Sequence, residues 1–74
     1  MNSQKQKDIY MLQVRLFRLA QLKWNLSANE CSELFNRHDI FNYIETCYEF
    51  FHVQGDDANL EDIRVFLSKK GVSL

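Results

Sequence analysis

Proline is absent from the 74 residues, and glycine occurs only twice, at Gly55 and Gly71. So few turn-formers do not suit the closely spaced turns of sandwiches and barrels, and the chain is neither collagen-like nor low in complexity. Cysteine is as scarce: Cys31 and Cys47 are too few for a disulfide framework, which predicts a reduced thiol pair and a cytoplasmic setting. No stretch free of charged residues exceeds six positions, so neither a membrane span nor a signal-peptide core is expected. What is present is globular material, 46% hydrophobic, 26% charged and 14% aromatic. It makes one small domain over residues 1–74, with fraying expected at about 1–5 and 72–74.

The net charge of −1 hides a strong asymmetry. Residues 1–26 sum to +4 through Lys5, Lys7, Arg15, Arg18 and Lys23 against Asp8; residues 27–63 sum to −8; the tail returns +3. Either the basic start lies against the acidic middle within one chain, or the separated charge steers a protein partner. Nucleic acid normally selects a clearly basic domain, and a pI near 6.0 is not one.

Periodicity predicts four helices. The first spans about Lys5 to Trp24, with Ile9, Leu12, Leu16, Leu19 and Ala20 on one arc widened by Tyr10, Phe17 and Trp24. Its other side carries Arg15 and Arg18, but also Met11, Val14 and Leu22, more apolar surface than a solvated face needs. Either this helix runs through the centre of the bundle, or Met11, Val14, Arg15, Arg18 and Leu22 meet a partner or a second copy in a homodimer. Ser27-Ala28-Asn29-Glu30 is a capping box that starts the second helix, which ends near Arg37 with Cys31, Leu34 and Phe35 inward. Asp39 is the expected N-cap of a third helix from Ile40 to about Val53. Gly55-Asp56-Asp57-Ala58 reads as a loop, Asn59 as the cap of a fourth helix, and Gly71 as its stop. The fold class is therefore all-α, a compact bundle or orthogonal array of about four helices.

Cys31, His38, Cys47 and His52 are the conceivable metal ligands, but no close Cys-Cys knuckle exists and both thiols lie on inward stripes, so no metal is expected. Asp56, Asp57, Glu61 and Asp62 lack the twelve-residue calcium-loop pattern. With no phosphate loop, nucleophile elbow or base–nucleophile pair, no catalytic residue and no cofactor are expected, and the chain reads as non-enzymatic. His52, in the last turn of the third helix, is expected to form a structural clasp with Asp62 or Glu61 across the Gly55 loop. The alternative reading is a helix-turn-helix DNA-binding regulator, since only His38 and Asp39 separate the second and third helices. Against it, the exposed face of the reading helix would offer Asn42, Glu45, Thr46 and Glu49, whose two carboxylates repel phosphate and which include no arginine or lysine to read guanine.

The stretch from Tyr43 to Gly55, followed by Glu61-Asp62-Ile63, resembles the small bacterial domain-of-unknown-function family 3791. The matching positions are Tyr43, Ile44, Tyr48, Phe51, His52, Gln54, Asp62 and Ile63, and a looser likeness runs from about Ile9 to Leu67. The resemblance implies a short helical protein encoded beside a protein that looks like an ADP-ribosyltransferase, and hence an antitoxin-like or accessory role. It assigns no binding or catalytic residue.

Overall fold

A computed structural model of the chain describes residues 3–74. Among them are five helices and no strand: α1 (Ser3–Lys23), α2 (Ala28–Arg37), α3 (Ile40–Thr46), α4 (Tyr48–Phe51) and α5 (Asp56–Ser68). Of the ends expected to fray, positions 1 and 2 lie outside the described residues. Ser3 to Lys5 are helical, and Val72 packs against the core.

Ile9, Leu12, Leu16 and Ala20 are the buried stripe of α1, at the spacing that keeps one helix face turned inward. Tyr10, expected to widen that arc, instead lies 63% exposed. The helix ends in a reversal at Asn25 (φ 54°), after which the Leu26 N–H donates to the Gln21 carbonyl at 3.0 Å. This is the Schellman pattern, in which a residue in left-handed backbone lets the next N–H reach back to an unpaired carbonyl. Gly71 (φ 87°) ends the last helix the same way, with the Val72 N–H donating to the Leu67 carbonyl at 3.1 Å. The capping box forms as expected: the Glu30 N–H donates to Ser27 Oγ at 3.0 Å and the Ser27 N–H to Glu30 Oε1 at 2.8 Å.

Three local expectations give way. Asp39 precedes α3 in left-handed backbone (φ 56°, ψ 41°), and its carboxylate makes no cap. The two-residue reversal from α2 needs a positive φ there, whereas a capping side chain needs extended backbone. The expected third helix breaks at Cys47, whose carbonyl accepts from both the Phe50 and Phe51 N–H groups, at 3.0 and 2.9 Å. That tightening separates α3 from α4. The presumed loop at Asp56 is already helix: Gly55 is the cap, and Asp56 and Asp57 sit in the first turn, where carboxylates complement the dipole.

The core joins α1 to Cys31 and Phe35 of α2, Ile40 and Ile44 of α3, Phe51 of α4, and Leu60, Ile63 and Leu67 of α5. A three-ring cluster ties the first three helices, with Phe35 edge-on to Phe17 at 5.3 Å and to Phe41 at 5.1 Å. α1 packs against α2, α3 and α5 through its buried stripe, while Met11 and Leu22 lie exposed away from it. Its outer side is left for whatever else the protein meets.

Candidate functional site

Met11, Val14, Arg18 and Leu22 repeat the spacing of the core stripe but are rotated to the opposite side of α1. Leu22 is 80% exposed and Met11 52%; Val14 is half-buried, and Arg15 and Arg18 are exposed. The helix is thus apolar on a second face that its own chain does not cover.

Two shallow hollows flank this face. One, of about 510 Å³, is lined by Arg15, Arg18, Leu19 and Leu22 of α1 and by Asp56 and Asp57 of α5. The second, of about 230 Å³, is lined by Asp8, Met11, Arg15, Tyr48 and His52. Arg15 borders both, and its Nε donates to Asp56 Oδ2 at 2.9 Å. The result is one surface strip along α1, divided midway by an ion pair. The sequence placed Met11, Val14, Arg15, Arg18 and Leu22 on this strip. It missed Leu19, counted wholly to the core, and Asp56 and Asp57, assigned to a loop. The start of α5 four residues upstream of the expected one is what places those carboxylates beside Arg15 and Lys23.

Internal complementarity accounts for much of the charge asymmetry. Lys5 Nζ lies 2.8 Å from Glu49, Arg15 bonds Asp56, and Lys23 Nζ lies 3.8 Å from Asp57. The hydrogen bond from Lys5 holds the Glu49 carboxyl below the ordinary carboxylate range, and the same bond raises Lys5. Water and salt screen such exposed pairs, so they orient surfaces more than they stabilise the fold. Lys7 and Arg18 have no ion-pair partner among the described residues.

The clasp expected between His52 and Asp62 is built from other residues. His52 stacks on Tyr48 at 5.0 Å and places Nε2 3.6 Å from Glu49 Oε1, on the side of α4 that looks toward α1. Asp62 accepts instead from Gln54 Nε2 at 3.2 Å. The link across the Gly55 segment is Asn59, fully buried, whose Nδ2 donates to the Phe51 carbonyl at 2.8 Å while its Oδ1 accepts from Gln54 Nε2 at 2.8 Å. Sequence reasoning took Asn59 for a helix cap because asparagine before an apolar run carries that signal.

Cys31 is buried, its Sγ 3.7 Å from the Phe17 carbonyl, and burial pushes its thiol up to about 11. Cys47 is half-buried. Among the described residues no group of three or more His, Cys, Asp or Glu side chains is placed to hold a metal ion, and no helix is long and apolar enough to cross a membrane. Asp56, Asp57 and Glu61 are engaged by Arg15, Lys23 and Arg64 respectively. On α3 and α4, Asn42, Glu45, Thr46 and Glu49 are all exposed, an acidic surface where DNA recognition would want cations.

Fold and surface together define a small all-α protein whose longest helix carries an uncovered apolar and basic strip. The family model described as "Protein of unknown function (DUF3791)" matches residues 12–70, and the chain belongs to that family. No curated protein and no solved structure matches it.

Proposed function

We propose that the protein is a non-enzymatic interaction module that docks a protein partner along the outer strip of α1. The observation that carries this is the exposure of Leu22 and Met11 on a helix already buried along its other face. Burying a leucine or methionine side chain gains about 1.5–3 kcal/mol, so two of them supply a binding increment that this chain leaves unused. Arg18 beside them, with no ion-pair partner among the described residues, favours a partner with carboxylates flanking its apolar residues. A homodimer across the same strip would gather the cations Lys7 and Arg18 of both copies into one interface, which a partner bearing carboxylates would not. The partner class the family resemblance points to is an ADP-ribosyltransferase-like protein, which this chain would neutralise or assist.

The test co-expresses the chain with that neighbour-encoded protein and compares the double variant Met11→Glu, Leu22→Glu. Helicity by circular dichroism should be unchanged, since both positions are exposed, while the complex weakens by about 100-fold or more. Unchanged partner capture together with unchanged self-association removes the proposal. Salt-dependent retardation of promoter DNA by the unmodified protein, with no protein complex, replaces it with the DNA-binding reading.

A further inference from the structure

On the other side of α4 from Tyr48 and His52 lies a cleft of about 320 Å³. It is lined by the rings of Tyr43, Phe50 and Phe51 with Val53, and by Cys47, Gln54 and Asp62. Phe50 and Val53 at its edge are each 74% exposed. Side chains this apolar, held beside a concavity, mark a contact surface more than a solvated loop.

Charge says what the cleft takes. Asp62 is its one ionisable carboxylate, and its hydrogen-bond donor is the neutral Gln54 amide. The other carboxylates of α5, Asp56, Asp57 and Glu61, each have a cation within 4.0 Å; Asp62 has none among the described residues. Burial, and then the neighbouring Cys47 and Asp62 side chains, push the Tyr43 hydroxyl up. The same aromatic stack already holds a cation at its far end: Tyr43 stacks on Phe66 at 4.1 Å, and Lys70 Nζ lies 5.0 Å over Phe66. Ring faces and an unneutralised carboxylate together favour a planar cation, because a guanidinium lies flat on an aromatic ring and forks into a carboxylate.

We infer that the cleft between Phe50, Tyr43 and Asp62 receives an arginine side chain, flanked by aliphatic residues, from a protein partner. Within the chain Arg15, Arg37 and Arg64 are engaged by Asp56, Glu33 and Glu61. The aliphatic neighbours of the incoming arginine cover Phe50 and Val53. The inference stands independently of the strip on α1, which lies across a different face.

The test is a titration of the isotope-labelled full chain, followed by amide chemical shifts, with an acetylated and amidated Ala-Leu-Arg-Leu-Ala peptide and its citrulline analogue. Saturable shifts are expected at Tyr43, Phe50, Val53, Gln54 and Asp62, with α1 unmoved. Replacing arginine by its neutral isostere citrulline should weaken binding by about tenfold or more, as should Asp62→Asn or Phe50→Ser in the protein. Equal binding of the citrulline peptide, shifts confined to α1, or no saturable shift overturns the inference. Concentration-dependent shifts at the cleft in the free protein, abolished by Arg18→Glu, also overturn it, by giving the cleft to a second copy.

Discussion

Asn59→Ala is expected to destabilise the fold by about 2 kcal/mol, lowering the melting temperature by roughly 10 °C in a domain of this size. Asn59 is the one buried polar side chain among the described residues, and its amide is used on both sides. Nδ2 satisfies the carbonyl of Phe51 at the end of α4, and Oδ1 takes the Gln54 amide. Alanine leaves that carbonyl with only the longer bond from the Gln54 N–H, at 3.3 Å, and empties a fully buried site, so the shorter of its two bonds is lost where little else can replace it. Asn59→Asp should be worse still, because it sets a carboxylate oxygen against the carbonyl in place of a donor. Gln54→Ala, at an exposed position, should cost clearly less than Asn59→Ala. Thermal unfolding by circular dichroism checks the order; equal losses for Asn59→Ala and Gln54→Ala would mean that Asn59 is not the clasp.

Phe35→Ala should cost more, about 3–5 kcal/mol. Phe35 is fully buried and meets Phe17 of α1 and Phe41 of α3, so its ring is where three helices converge. Removing it forfeits the transfer of a large apolar side chain and leaves a cavity whose walls belong to different elements and cannot all close on it. The total stability expected for 74 residues is only about 4–11 kcal/mol, so this substitution alone should bring the chain close to unfolding at 37 °C. Urea unfolding measures it, and a loss below about 1 kcal/mol would show that the ring cluster is not central to the core.

Features written in neighbouring residues were legible from sequence. The Ser27/Glu30 box needs partners three residues apart, and Gly71 needs only its own conformational freedom. The core stripe of α1, and the surplus apolar face opposite, follow from helical spacing alone. What depended on a distant partner was not legible. Asp39 has cap chemistry, but the approach of α2 to α3 fixes its backbone in a conformation from which it cannot cap. Asn59 has cap chemistry too, yet the carbonyl it serves belongs to α4, eight residues back and across a turn. His52 was paired with Asp62 by proximity in sequence, whereas α4 turns His52 toward α1, beside Met11 and Arg15. The break at Cys47 has the same origin. Ile40, Ile44, Cys47 and Phe51 would all suit one continuous helix, and only packing against the rest of the core divides it.

That break also gives the surface its two characters. Tyr48 and His52 extend the strip on α1, while Phe50 and Val53 border a separate cleft with an unneutralised carboxylate. A chain of this size thereby presents a basic apolar face and an acidic aromatic one, which suits a protein that is contacted rather than one that encloses a substrate.

The central claim is that the outer face of α1 is open in the isolated chain and covered in its complex, and the oxidation rate of Met11 by hydrogen peroxide reads this directly. Thioether oxidation follows exposure, and Met11, half exposed, lines the hollow at one end of the strip. In the free protein Met11 should oxidise nearly as fast as free methionine, and in a purified complex with the ADP-ribosyltransferase-like protein proposed as its partner at least tenfold more slowly. A rate unchanged by the partner, or a Met11 already protected in the free monomer, would contradict the account.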